Sequence, residues 1–139
     1  MQSVNRSLLT LTEVFMLLYW LFATLVALKL ITVSAELMYP DHTDPTIVAW
    51  NWSFLPIDLL FALCGLASRF LGLSSSTKQT LSVFSLSLMF CAGLMALTFC
   101  VIVGFYDAFW WDTNLWLVLL PVFVAASTFA CSERVDSHG

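Results

Sequence analysis

Four long apolar runs, broken by short polar stretches, set the pattern of this chain. They cover residues 8–33, 46–70, 80–105 and 113–131. A membrane-crossing helix needs about 20 mainly apolar residues, so each run is a predicted transmembrane helix. The pattern therefore predicts an all-α polytopic membrane protein, a four-transmembrane-helix bundle forming one domain over 1–139. The tails and connections left over are too short for an extramembrane domain.

Local signals punctuate the runs. Val33-Ser34-Ala35 resembles a signal-peptide cleavage site, but the apolar run before it is longer than a signal's apolar region of about 7–15 residues. The first run is therefore read as a retained span. Asp44-Pro45 is a helix start, with Asp at the cap and Pro in the first turn. Trp50 and Trp52 are expected in the aromatic belt beyond it. Gly72 is expected to cap the second span's end, with a short turn over Ser74–Lys78. Asp112 or Thr113 is expected to cap the last helix, which carries Pro121 near its centre. In the third span Ser85, Met89, Ala92, Ala96, Cys100 and Gly104 share one face. Small residues let helices approach closely in lipid, so this face packs either inside the bundle or against a second copy in a homodimer.

Charge orients the bundle. Only 10% of the residues are charged and 60% are hydrophobic, against about 25% charged in ordinary soluble domains. Arg6, Arg69, Lys78 and Arg134 lie in the tails and the second connection, whereas the other connections carry Glu36, Asp41, Asp44, Asp107 and Asp112. The positive-inside rule then puts both termini in the cytoplasm. Lys29, near the outer end of the first span, is expected to snorkel to the headgroups. Cys64, Cys91, Cys100 and Cys131 form no paired motif and are read as reduced thiols.

Known chemistries are mostly excluded. Five basic residues scattered over the chain make no nucleic-acid surface. His42 between Asp41 and Asp44 is an acidic loop, not a metal site, which needs three or four convergent ligands. Neither a nucleophile motif nor a phosphate loop occurs, so no cofactor and no enzymatic activity are expected.

What remains is polar chemistry inside the spans. An ionisable group there costs about 2.5–3.5 kcal/mol at the helix centre on insertion scales. Asp58 falls near the middle of the second span, with Asn51 and Gly65 seven residues to either side on the same face. Pro56 cannot donate to the carbonyl of Trp52, so Asn51, Asp58 and that carbonyl make a polar stripe. Two readings of Asp58 stand. It is structural, bonded to hydroxyls or to an indole such as Trp20 or lying in the first turn of a helix that starts at Ser53, or it binds a ligand or proton, with Trp50 and Trp52 beside it. Glu13 likewise either pairs with Arg69 at the inner boundary or binds a proton or cation.

The runs Val48–Leu59 (V-A-W-N-W-S-F-L-P-I-D-L) and Gly104–Leu115 (G-F-Y-D-A-F-W-W-D-T-N-L), with Leu120-Pro121, resemble the YvaD-like family of small bacterial four-helix membrane proteins. That resemblance covers nearly the whole chain. It implies a bacterial inner-membrane location and a four-span fold, and brings no activity with it. Architecture alone is similar in two other groups. Small multidrug-resistance transporters carry a glutamate in their first helix, as Glu13 is here. The sterol-isomerase and sigma-2-like group binds hydrophobic amines or sterols through intramembrane carboxylates. The expected function is a membrane protein with an intramembrane polar pocket for a small apolar or cationic ligand. A proton-coupled exporter working as a dimer and an isomerase-like enzyme are the alternatives.

Overall fold

The computed structural model describes residues 2–34, 43–104 and 106–136. The first outer connection, with Glu36, Pro40, Asp41 and His42, lies outside the described residues. Five helices follow in order: α1 (Gln2–Ala27), α2 (Pro45–Trp52), α3 (Leu55–Phe70), α4 (Ser75–Val103) and α5 (Ala108–Asp136). No strand occurs among the described residues. With α2 and α3 taken as one broken span, four spans are long and apolar enough to cross a membrane. Only 22–28% of each span's most apolar stretch is buried inside the chain. Leu11, Leu63, Met95, Ile102 and Leu119 all point outward. An apolar belt of that extent is an aggregation surface in water and an ordinary lipid-facing surface in a bilayer.

The helix ends follow local chemistry more closely than the apolar pattern did. α1 stops at Ala27, short of the expected 33, because Lys29 adopts a left-handed conformation (φ 57°). The Leu30 and Lys29 N–H groups donate back to the carbonyls of Leu25 (3.0 Å) and Val26 (2.9 Å), a Schellman closure. Lys29 is thus a helix terminator outside α1, and not a residue of the span. Asp44 starts α2 by accepting from the N–H groups of Thr46 (2.7 Å) and Ile47 (3.2 Å). α5 starts a turn earlier than Asp112 or Thr113 would allow, because Asp107 Oδ1 accepts from the Trp110 N–H (3.0 Å). Gly72 is not the left-handed cap expected of it: α3 ends at Leu71 in an extended conformation. The left-handed glycine is Gly104 (φ 71°), which closes α4.

Between α2 and α3 the helix breaks at Ser53 and Phe54. The Phe54 N–H donates to Asn51 O (3.1 Å) and the Asp58 N–H to Phe54 O (2.9 Å), while Pro56 has no N–H to continue the ladder. Asp58 therefore falls in the first turn of α3, where the helix dipole favours a negative charge.

Packing closes these elements into a ring. α3 lies against α1 and α4, and α4 against α5. α5 is tied back to α1 by Asn5 Nδ2 donating to Ser127 Oγ (2.7 Å) and Trp116 Nε1 donating to Thr12 Oγ1 (2.9 Å). The start of α1, the end of α3 and the later part of α5 thus share one end of the bundle, the terminal end. The small-residue face of α4 is internal: Ser85, Met89, Ala92, Ala96 and Cys100 are buried within this one chain, and Gly104 alone is exposed. Gly93 brings α4 and α5 closest, since a Cβ there would lie 2.6 Å from the Asn114 carbonyl oxygen.

The Asp44 cap carries a pH signature. Hydrogen bonds from the N–H groups of Thr46 and Ile47 hold its carboxyl below the ordinary aspartate value of 3.8. A depressed folded-state value means the cap's stabilisation is complete above 3.8 and is lost as pH falls through the lower folded-state value. Thermal unfolding of wild type and Asp44→Ala in one detergent should differ most at neutral pH and converge below that window. A gap of constant size down to pH ~2 would remove the carboxylate from the account.

Candidate functional site

Polar side chains in the bundle concentrate on the seam between α1 and α3. On α1, Arg6, Thr10, Glu13 and Trp20 recur at spacings that keep them on one helical face, and on α3 Asp58, Gly65 and Arg69 do the same. The antiparallel packing brings the two sets level. Arg6 Nη2 donates to the Arg69 carbonyl (3.2 Å), and Arg69 Nε donates to Thr10 Oγ1 (3.2 Å). Arg69 Nη2 forms an ion pair with Glu13 Oε2. Farther along, Trp20 Nε1 donates to Asp58 Oδ2 (2.8 Å).

The Glu13 carboxylate is wholly buried, and a glycine makes the room for it. A Cβ at Gly65 would lie 2.6 Å from Glu13 Cδ and 2.7 Å from Ser85 Oγ, distances no real side chain adopts. The Ser85 hydroxyl turns instead to the Phe61 carbonyl (2.8 Å). Gly65 is therefore the notch that lets Glu13 sit between α1, α3 and α4.

Asp58 has a different environment. It is only 6% exposed, with Oδ2 bound by the Trp20 indole and Oδ1 without a hydrogen-bond partner. It lies on the wall of a cavity of about 760 Å³ in the half of the bundle away from the terminal end. Trp20, Asn51, Trp52, Trp110 and Asn114 border the same space. The bordering residues include the acids Asp58 and Asp107, and no Lys, Arg or His among the described residues. Trp20 rests on Trp52 (ring centroids 5.5 Å) and Tyr19 (5.2 Å), which braces the indole that holds Asp58.

Of the residues singled out from the sequence, Asn51, Trp52 and Asp58 come together at this cavity. Glu13 does not border it and is engaged by Arg69. Trp50 turns away and stacks between Phe99 (3.8 Å) and Trp110 (5.3 Å), so it fastens α2 to α4 and α5 and does not line the space. Asp107, Trp110 and Asn114, not singled out from the sequence as site residues, also border the cavity. Their signal was present, because Asp107, Trp110, Asn114 and Leu117 repeat at helical spacing, and all four border the cavity. No group of three or more metal-ligating side chains occurs among the described residues.

Residues 5–135 match a family of unknown function (DUF5360). A Bacillus subtilis (strain 168) protein named "Uncharacterized protein YvaD" is 36% identical over 113 residues, 81% of this chain and 81% of that protein. No solved structure matches.

Removing one member of a buried ion pair strands the other and typically costs about 3–5 kcal/mol. Glu13→Gln should therefore lower resistance to SDS-induced unfolding sharply. Gly65→Ala should do the same, because its methyl displaces the carboxylate. Glu13→Gln combined with Arg69→Met should recover much of the loss. Additive losses in the double variant would show that the two groups do not depend on each other.

Proposed function

Because this chain belongs to the uncharacterised YvaD-like family, DUF5360, we propose its function from its own geometry: a non-enzymatic inner-membrane protein that binds a small cationic ligand in the cavity beside Asp58. The observation that carries this reading is the half-satisfied carboxylate. Asp58 is nearly buried, uses one oxygen, and leaves the other unpartnered. A charge kept inside a span without full compensation is a functional-site signal by default. The surroundings favour a cation as the missing partner: a second acid, Asp107, no Lys, Arg or His among the described bordering residues, and the rings of Trp20, Trp52 and Trp110. Such aromatic walls attract ammonium groups by about 0.5–2 kcal/mol each. Asn51 and Asn114 add amide groups to orient the ligand. Glu13 takes no part, since Arg69 already neutralises it.

In this reading both termini face the cytoplasm and the cavity faces the outer leaflet. Support comes from Arg6 and Arg69 at the terminal end and from Asp44 and Asp107 at helix starts on the opposite side. A single cysteine introduced as Ser75→Cys in a cysteine-free background should react with an impermeant maleimide only after the membrane is breached. Thr46→Cys should react in intact cells, and the reverse pattern would invert the orientation.

Ligand binding is tested with a charged and uncharged pair of equal shape. Benzyltrimethylammonium should bind the purified protein saturably by calorimetry, and neopentylbenzene at least tenfold more weakly. Asp58→Asn should erase that difference. Equal affinity for the two probes in wild type, or binding of the cation undiminished in Asp58→Asn, would refute the role given to Asp58.

A further inference from the structure

The cavity reaches the seam between α1 and α5. α1 and α5 are bonded where they approach the terminal end, through Asn5–Ser127 and Thr12–Trp116. Beyond Thr12 the same two helices border the cavity instead, through Phe15, Phe22 and Val26 from α1 and Phe109, Thr113 and Leu117 from α5. Three of them are also about half exposed or more, Phe15 by 50%, Phe22 by 48% and Phe109 by 64%. Rings so little covered leave the cavity wall open between α1 and α5.

Depth tells which medium that is. Phe15 is the middle residue of the Ser3–Ala27 span, and Asp58 stands next to the middle of Pro45–Phe70. From Phe15 to Val26 the slot runs about 16 Å at 1.5 Å per residue, roughly half of a hydrocarbon core about 30 Å thick. Its lower part therefore faces acyl chains, not water. Along the slot the polarity is graded: the lips are phenylalanines, and the carboxylate and amides of Asp58 and Asn51 lie within.

Resting on the binding role given to Asp58, we infer that the ligand is a single-chain cationic amphiphile, taken laterally from the outer leaflet between α1 and α5. Its ammonium group sits at Asp58 among Trp20 and Trp52, and its alkyl chain leaves past Phe15 and Phe22 into lipid. A chain held this way stays in an apolar environment, so on the aqueous scale each added methylene strengthens binding by its transfer out of water. A compact water-soluble cation reaches the same carboxylate without that gain.

The test uses the full-length protein in lipid nanodiscs and the butyl, octyl and dodecyl members of the alkyltrimethylammonium series. Dissociation constants are referred to the free aqueous concentration, with protein-free nanodiscs supplying the correction for ligand taken up by lipid alone. Asp58-dependent affinity should rise at least tenfold from butyl to dodecyl. Phe22→Asn, at the lip, should flatten that rise. If Asp58-dependent binding is present but indifferent to chain length, lateral capture of an amphiphile is overturned and the cation site stands. If no member of the series shows Asp58-dependent binding, the site reading falls and this inference with it. Should Phe22→Asn fail to fold, Phe15→Ser at the other end of the slot gives the same comparison.

Discussion

A carboxylate that neither water nor lipid can solvate must find its counter-charge inside the chain, and Glu13 finds it in Arg69. Much else in the bundle answers to that pairing. It fixes the register of α1 against α3, it requires the missing side chain at Gly65, and it presses Ser85 of α4 against the same spot. Thr10 and the Arg69 carbonyl extend the contact toward the terminal end. In a bilayer, where apolar surface gains nothing by leaving lipid for protein, such polar and close-packed contacts decide which helices associate.

The second carboxylate of the seam is treated differently by its surroundings. Asp58 is level with Trp20 because the pairing of Glu13 with Arg69 holds the two helices in register, and the break before α3 places it in a first turn. One indole bond and the helix dipole offset part of the burial cost of the charge. They leave one oxygen unused at the wall of a cavity. One helix pair therefore carries a compensated acid near the terminal end and an incompletely compensated one near the middle. The first organises the bundle, and the second is the one to which the proposed function assigns the ligand.

The spans were legible in the sequence because length and apolarity alone decide them. So was the stripe of Asn51, Asp58 and Gly65, which a period of seven residues reveals, although Asn51 and Asp58 proved to stand on separate helices. Helix ends were less legible. Lys29 in a left-handed turn and Asp107 in place of Asp112 as the cap depend on competing local hydrogen bonds that an apolar run does not record. The stacking of Trp50 on Phe99 and Trp110 was not legible either, since composition does not tell which rings meet. The cavity itself needed the tertiary structure, because its walls come from all the helices.

The most direct measurement is the indole nitrogen spectrum of the protein in nanodiscs, with the tryptophans assigned one at a time by Trp→Phe substitution. Trp20 Nε1 donates to Asp58, while Trp116 Nε1 donates to Thr12 away from the cavity. When benzyltrimethylammonium is added, the Trp20 signal should move saturably and the Trp116 signal should stay in place. A Trp20 signal unmoved at saturating cation, or moved no more than Trp116, would contradict the claim that Asp58 receives the ligand.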